Sequence, residues 1–201
     1  MELHHGELRE VLAAYDDESI DHIVTDPPYD EDALDLWHDL AKSASRVLKP
    51  GGVLAAYSGQ YFLADVFDVL GEHLQYFWQF VVTHEQPNYF IKYDIGISYK
   101  PVVVFGKPPL GRPDRQVHDV IDIGTRSKAN HDWQQPVIEA SALIEALTEP
   151  NDTVLDPMCG SGTVGVAALR SDRRTVLVDA DETAVETARE RVGEVIGDAT
   201  G

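Results

Sequence analysis

Apolar residues follow two different periods along the chain, and the two kinds of segment succeed one another from end to end. Short runs rich in β-branched residues are typical of buried strands, and apolar positions recurring every three or four residues are typical of helices. The predicted strands are Ile20–Thr25, Val53–Tyr57, Tyr76–Val82, Pro101–Phe105, Thr153–Leu155 and Thr175–Val178. The predicted helices are Ala33–Leu48, Tyr61–Leu70, Pro136–Leu147, Thr163–Arg170 and Glu182–Val195. This alternation predicts an α/β fold with a mainly parallel sheet and helices on both faces.

Length and composition fit one globular domain spanning residues 1–201, because 43% of the residues are hydrophobic. No run approaches the roughly 18 consecutive apolar residues of a membrane span, and the N-terminus has neither a basic start nor an apolar core. Cys159 is the single cysteine, so disulfides within the chain are excluded. The eight histidines match no metal-ligand spacing. We therefore expect a cytoplasmic protein without a metal site.

The formal net charge of -19 is spread along the chain, with aspartate common and lysine scarce. Such a surface repels phosphate backbones. The protein either avoids nucleic acid or works at salt high enough to screen the repulsion, where the Debye length is about 3 Å at 1 M. The composition favours the second, a halophilic source. A folded state that persists on dilution into low salt would contradict this hypothesis.

One segment, residues 106–130, departs from the acidic pattern and from regular periodicity. It contains several prolines, and its cations outnumber its acids. A locally basic loop in an acidic protein is a candidate for contacting nucleic-acid phosphates, although a solvated surface loop with chance charges is an equally good interpretation. The candidate contacts are Lys107, Arg112, Arg115, Arg126 and Lys128.

A glycine-bearing turn joins the strand Thr153–Leu155 to the next helix. Its glycines satisfy a G-x-G-x-x-G pattern, which alone is weak evidence for a dinucleotide. The acid at the strand's end would repel a pyrophosphate, whereas it suits the amino group or sulfonium of S-adenosylmethionine. Asp179, after the next strand, can accept hydrogen bonds from a ribose. The predicted cofactor-binding residues in the turn are Asp156, Pro157, Met158, Gly160, Ser161, Gly162 and Thr163.

A second motif ends the strand Ile20–Thr25 and consists of Asp26, Pro27, Pro28 and Tyr29. The lone pair of an adenine N6 is delocalised into the ring, so this nitrogen is a poor nucleophile. Two acceptors that bind both N–H groups would localise the lone pair, and the Asp26 carboxylate and the Pro27 carbonyl can supply them. The prolines keep the turn rigid, and Tyr29 offers a face for a base flipped out of its stack. An ordinary strand-ending turn remains the alternative for the motif taken alone.

Taken together, the motifs Asp26–Tyr29, Arg46–Gly52 and Asp156–Thr163 resemble those of the amino-methyltransferases that make N6-methyladenine or N4-methylcytosine in DNA. The resemblance implies a Rossmann-like, S-adenosylmethionine-dependent methyltransferase fold: a mostly parallel seven-stranded sheet with an antiparallel edge strand. The tetrapeptide precedes the glycine loop, as in permuted, β-type members. That order implies that Glu2–His5 is the strand that follows the helix Glu182–Val195 in an unpermuted domain.

The resemblance also implies residue roles. Asp26 to Tyr29 would handle the target amine, with Asp26 also bordering the cofactor, and Gln134 is similar to a cofactor contact ahead of the glycine loop. An aspartate at position 26 favours adenine, where cytosine enzymes often carry serine. Three departures are Glu7, where the family usually has Asp, Met158, where an aromatic residue is common, and the short segment 106–130 in place of a large recognition insertion. Sequence specificity is therefore expected to be weak, shared across a homodimer, or supplied by a separate protein.

The sequence thus predicts methyl transfer from S-adenosylmethionine to adenine N6 in double-stranded DNA with the base flipped out. Cytosine N4 or an RNA base are alternative targets. A nicotinamide oxidoreductase would leave the tetrapeptide unexplained. A catalytically silent subunit that binds DNA or a partner is the alternative from another class.

Overall fold

The computed structural model describes residues 1–28, 33–90, 93–111, 115–122 and 137–199, with the backbone alone at 84–90 and 198–199. Over these residues the strands form an eight-stranded sheet in the order β1-β8-β7-β2-β3-β5-β4-β6. Strand β5 is antiparallel to both of its neighbours, and the other pairs are parallel. The strands are β1 (Glu2–His5), β2 (His22–Thr25), β3 (Val53–Tyr57), β4 (Gln75–Phe90), β5 (Ile95–Gly106), β6 (Val120–Ile121), β7 (Thr153–Asp156) and β8 (Arg174–Asp179).

Two layers of helices cover the sheet. Strand β3 is buried at every position, so both of its faces need a cover. Leu54 and Ala56 pack with the layer of α1 to α3, whereas Val53, Ala55 and Tyr57 pack with residues of α4 and α5. The helices are α1 (Leu8–Leu12), α2 (Leu34–Val47), α3 (Leu63–Gly71), α4 (Val137–Leu147), α5 (Thr163–Arg170) and α6 (Glu182–Ala199).

The α/β fold with a mostly parallel sheet confirms the sequence-based expectation, but two details differ from it. The antiparallel strand β5 is interior, because the crossover through α3 places β4 one position further out and the hairpin then brings β5 back into the gap. The short strand β6 extends the sheet beyond β4, within the segment 106–130 that was expected to be a loop. The five-residue helix α1 was not predicted.

Strand β1 lies at the opposite edge of the sheet, where it pairs with β8 from Glu2↔Val176 to His5↔Asp179. Helix α6 contacts β1. Glu2–His5 thus forms a strand, as expected, and it lies beside β8 and against α6; the permuted order itself stays a prediction. No helix in the described parts of the chain combines the length and the apolar character that a membrane crossing requires.

The hairpin of β4 and β5 is longer than the predicted pair Tyr76–Val82 and Pro101–Phe105. Strand β3 ends its pairing with β5 at Tyr57↔Val102, yet β4 and β5 continue to pair up to Phe90↔Ile95. The hairpin therefore projects past the carboxyl end of β3. The outer residues of β5 are mostly exposed and carry little apolar alternation, which explains why the sequence pattern does not reveal this part of the hairpin.

Candidate active site

Strands β2 and β7 are parallel neighbours, with Ile23 paired to Leu155, so their carboxyl ends meet at one edge of the sheet. Asp26 directly follows β2, and Asp156 is the last residue of β7. The hydroxyl of Thr25 donates a hydrogen bond of 2.8 Å to Oδ1 of Asp156. The structure thus places the tetrapeptide and the start of the glycine loop side by side, at the edge where open α/β sheets bind their ligands.

Asp156 is a buried carboxyl group, 2% exposed. Its pKa is raised to about 7, mainly by burial and to a smaller extent by the nearby carboxylates of Asp26 and Asp179. Hydrogen bonds from Thr25 and from the backbone N–H of Met158 act in the opposite direction. Near neutral pH the group is divided between its two protonation states, and a cation bound beside it would favour the ionised one.

The glycine loop separates a packed side from an open side. Gly162 has a φ of 80°, and a Cβ placed there would lie 2.9 Å from the Cβ of Ala188 in α6. Gly160 has a φ of 49°, but a Cβ there would meet nothing within 4 Å. Gly162 therefore lets the loop pack on α6, and Gly160 leaves open space through which a ligand can approach the backbone. The Cys159 thiol, whose pKa is raised by burial, is no nucleophile here.

Asp179 ends β8, the next strand along the sheet. Its Oδ2 accepts a hydrogen bond of 2.7 Å from the backbone N–H of Gly160, and its Oδ1 accepts one of 2.9 Å from Asp181. The carboxylate therefore holds the glycine turn in place. Each oxygen keeps acceptor capacity for a ligand hydroxyl, because a carboxylate offers about four lone-pair directions.

Arg191 is a loop contact that the sequence motifs do not indicate. From α6 its Nη1 donates to the carbonyl of Ser161 at 2.8 Å, to the Ser161 hydroxyl at 2.7 Å and to the Thr163 hydroxyl at 3.3 Å. It ties the outer part of the glycine loop to a helix that begins twenty residues later in the chain. No local spacing rule connects the two, so only the packing of α6 reveals it.

The tetrapeptide is held from α2. The indole N–H of Trp37 donates a hydrogen bond of 3.3 Å to the carbonyl of Pro28, while Trp37 itself is buried. Pro27 is buried and Pro28 is exposed, so the turn is anchored at its base. Tyr29 lies outside the described residues, and its predicted role against a flipped base stays a prediction.

Lys100 is a second contact without a sequence signal. Its Nζ lies 3.9 Å from Oδ2 of Asp26 and 5.0 Å from the ring centroid of Tyr57. Lys100 precedes the residues of β5 that pair with β3, and since β5 is antiparallel, those earlier residues lie toward the carboxyl edge. Lys100 belongs to no sequence motif, because its position at this edge depends on the register of β5.

The residues predicted to contact phosphates are not gathered around Asp26. Lys107 follows the end of β5 that pairs with the start of β3, and its Nζ lies 3.2 Å from a carboxylate oxygen of Glu18. Arg115 lines a cavity of about 190 Å³ together with His22, the first residue of β2. Both therefore lie at the amino edge of the sheet, opposite the tetrapeptide. Three other predicted phosphate contacts and one cofactor contact fall outside the described residues: Arg112, Arg126, Lys128 and Gln134.

The donor set fits S-adenosylmethionine better than a dinucleotide. The acids Asp156 and Asp179 flank the open face at Gly160, and a pyrophosphate there would meet two carboxylates. A ligand with an ammonium, a sulfonium and a ribose diol matches two acidic groups and exposed loop backbone. Within the described residues no group of three His, Cys, Asp or Glu side chains is arranged to hold a metal ion.

The fold, together with the acidic site at the carboxyl edge of its sheet, defines a Rossmann-like methyltransferase. Comparisons with known proteins identify the family. The family model described as DNA methylase, for N6 and N4 methyltransferases, matches residues 20–190. The chain belongs to this family of DNA methyltransferases, which use S-adenosylmethionine.

Three relatives illustrate the similarity. The "Putative methylase YubD" of Escherichia coli (strain K12) is 29% identical over 211 residues, covering 94% of this chain and 89% of that protein. The crystal structure of the M1.HpyAVI–SAM complex has a TM-score of 0.80 at 20% identity and covers 95% of this chain and 98% of its own. The cytosine-N4-specific PvuII DNA methyltransferase has a TM-score of 0.79 at 18% identity, and the match covers 96% of this chain and 90% of that structure. At these identities the two solved structures support the fold alone.

Proposed function

We propose that the protein transfers a methyl group from S-adenosylmethionine to the N6 amino group of adenine in double-stranded DNA. The observation that carries the proposal is the hydrogen bond of 2.8 Å from the hydroxyl of Thr25, the residue directly before the tetrapeptide, to the Asp156 carboxylate of the glycine loop. It makes the tetrapeptide and the glycine loop walls of one cleft, as a direct transfer between two bound molecules requires.

Each wall has its own task. Asp156, Asp179 and the backbone at Gly160 hold the donor, with the remaining loop residues Pro157, Met158, Ser161, Gly162 and Thr163 along it. The bound cofactor would supply an electrophilic methyl group on a sulfonium. Transfer would form the N–C bond, break the S–C bond to leave a neutral thioether, and release one proton from the target nitrogen to water. Asp26 accepts a hydrogen bond from one N–H of the target amine, and the Pro27 carbonyl accepts one from the other. Both acceptors draw the lone pair of the nitrogen out of the ring.

Adenine is proposed over cytosine because Asp26 heads the tetrapeptide, in line with the resemblance described above. Cytosine N4 is the second candidate. It is supported by the family model, which covers N6 and N4 methyltransferases alike. Both targets are exocyclic amines on an aromatic ring, so the same pair of acceptors serves either one.

Access to either amine requires the base to leave the duplex stack, which costs a few kcal/mol. A homodimer or a separate specificity protein would extend the small surface available for DNA. The cytoplasmic location, the single-domain organisation and the salt-dependent function suggested by the charge stay predictions.

Nucleoside analysis tests the proposal directly. The purified protein is incubated with S-adenosylmethionine and unmethylated duplex DNA at several salt concentrations, with RNA in parallel, and the digested products are resolved by mass spectrometry. N6-methyladenine in DNA is expected. If N4-methylcytosine or a methylated RNA base forms instead, that base is the target and the assignment to adenine N6 is wrong. The absence of any methylated base under all conditions would refute the function.

Matched variants link the product to the site. Asp26→Ala removes the proposed acceptor and is expected to abolish product formation. Asp68→Ala, on the exposed side of α3, makes a comparable change away from the cleft and is expected to leave product formation unchanged. Full activity in Asp26→Ala would favour a mechanism that does not use the tetrapeptide.

A further inference from the structure

Strand β5 carries Lys100 to the carboxyl edge of the sheet. Tyr57 is the last residue of β3 and pairs with Val102, and the backbone N–H of Ser58 donates to the carbonyl of Pro101 at 3.0 Å. Lys100 is the next residue outward, and on its other side it pairs with Val82 of β4. Its backbone is therefore fixed by the sheet at the point where the tetrapeptide begins.

The side chain of Lys100 lies within the site rather than in solvent. It is 17% exposed, its Nζ lies 5.0 Å from the centroid of the Tyr57 ring, and the same atom lies 3.9 Å from Oδ2 of Asp26. The buried ring provides a cation–π contact, which favours one position of the ammonium. The ammonium is thus held over a core residue and directed at the predicted catalytic carboxylate.

Several acidic groups of the described residues lie around Asp26. Asp156, at the end of β7, and Tyr57, at the end of β3, both interact electrostatically with Asp26. Beyond them lie Asp179 at the end of β8, which acts on Asp156, and Glu139 of α4, which acts on Tyr57. Among these described neighbours, the Lys100 ammonium favours the ionised form of Asp26, whereas the charge of an ionised Asp156 opposes it.

The protonation state of Asp26 decides what it can do. An ionised carboxylate accepts hydrogen bonds at both oxygens, whereas a protonated one turns one oxygen into a donor. A donor directed at the target nitrogen would compete for the lone pair that must attack the methyl group. The transfer therefore requires the charged form.

We propose that Lys100 is a positioning residue that keeps the Asp26 carboxylate ionised and oriented toward the target amine. This inference rests on the methyl transfer proposed above. Lys100 acts through Asp26 and forms no bond with the reacting atoms.

The pH dependence of the rate separates this role from a structural one. In Lys100→Met the acidic limb of the kcat profile is expected to move to higher pH by about one unit, since an opposite charge at this distance lowers a carboxyl pKa by about 1–3 units. Lys100→Arg is expected to return the limb toward its wild-type position. KM for S-adenosylmethionine and the melting temperature are expected to stay close to wild type. Lys42→Met, on the exposed surface of α2, is the matched control and should leave the profile unchanged.

A titration that needs no turnover accompanies the kinetics. Carbon-13 NMR of protein labelled at its aspartate carboxyl groups, with the Asp26 signal assigned from Asp26→Asn, reports ionisation directly. The Asp26 midpoint is expected at higher pH in Lys100→Met than in wild type. An unmoved midpoint together with an unmoved acidic limb would overturn the role of Lys100 alone. If wild-type protein methylates no base, the proposed function fails and the positioning role falls with it, whatever the NMR midpoint shows.

Discussion

Cofactor binding should be coupled to the ionisation of Asp156. In the cofactor-free protein the buried carboxyl group has a pKa of about 7, mainly because burial penalises the charged form. Its ordinary value is 3.8, so the shift is about three units, and ionising the group in the folded protein costs on the order of 4 kcal/mol more than in water. A cationic donor offsets part of that cost and is expected to bind the ionised form.

The affinity should therefore depend on pH in a specific way. Below pH 7, forming the complex releases a proton, and the dissociation constant is expected to increase about tenfold for each unit of decreasing pH. Between pH 7.5 and pH 5.5 this amounts to a roughly 25-fold weakening. Above the pKa the dependence should level off, because the carboxyl group is already ionised.

Isothermal titration calorimetry measures both quantities. Titrations of S-adenosylmethionine in buffers with different ionisation enthalpies should report release of about one proton near pH 6 and almost none near pH 8. Asp156→Asn should lose the pH dependence and bind more weakly at pH 7.5. Asp68→Asn is the matched control and should behave as wild type. A wild-type dissociation constant that is constant from pH 5.5 to 7.5, or an equal slope in Asp156→Asn, would refute the reasoning.

The same shift predicts a difference in stability without cofactor. The folded-state pKa of Asp156 lies above the unfolded one, so the folded state binds the proton more tightly. The contribution of Asp156 to stability is therefore largest below about pH 4 and is lost as the pH rises to about 7. Asp21 and His22, whose pKa values are lowered, act in the opposite direction, so the relevant quantity is the difference between wild type and Asp156→Asn. Urea unfolding at pH 5 and pH 7 should show that difference becoming less favourable to wild type at pH 7.

Three further predictions concern the supports of the site. Gly162→Ala adds a methyl group 2.9 Å from Ala188 at a φ of 80° and should lower the free energy of unfolding by about 2–4 kcal/mol in urea titrations, whereas Gly193→Ala on the open face of α6 should raise it by about 0.5–1 kcal/mol. Equal effects would contradict the packing argument. Arg191→Met removes charge-assisted hydrogen bonds to the glycine loop that contribute about 1–2 kcal/mol. It should weaken S-adenosylmethionine binding, measured by calorimetry, about 5- to 30-fold. Unchanged binding would show that the loop keeps its shape without Arg191. Trp37→Phe removes a hydrogen bond of about 1 kcal/mol to the tetrapeptide and should lower kcat about fivefold, with KM for the cofactor unchanged. A change in KM alone would contradict a role of Trp37 in holding the tetrapeptide.

The sequence predicts the parallel half of the sheet well, because burial on both faces leaves continuous apolar runs. Strand β3 matches the predicted Val53–Tyr57, and helix α5 matches Thr163–Arg170. The outer hairpin has no such signal, since residues 83–99 mix polar and aromatic positions and part of them is exposed. Strand β6 has two residues, and the parallel pairing that defines it is with residues almost forty positions away. Short or exposed elements are set by tertiary contacts more than by local pattern.

The site shows the same division. Asp26 and Asp156 were predicted because each lies in a short motif at the end of a strand, and parallel neighbours bring such ends together. Lys100 and Arg191 were missed because neither belongs to a motif. The position of Lys100 follows from an antiparallel register, and that of Arg191 from the packing of α6 on the glycine loop. A predicted register for β5 is the one signal that would have placed Lys100 near the tetrapeptide.

The three aspartates of the site serve two needs that conflict. Acidic groups attract a cationic donor, but attraction that is strongest before the transfer stabilises the ground state and does not speed the reaction. The structure distributes the charge so that this conflict is small. The charge of Asp179 is shared with two backbone N–H groups, and that of Asp156 is limited by its raised pKa. Lys100 lies beside Asp26, the one carboxylate whose proposed work is on the amine. In the proposed reaction, attraction for the donor would therefore be moderate, while Lys100 would keep the acceptor for the amine charged.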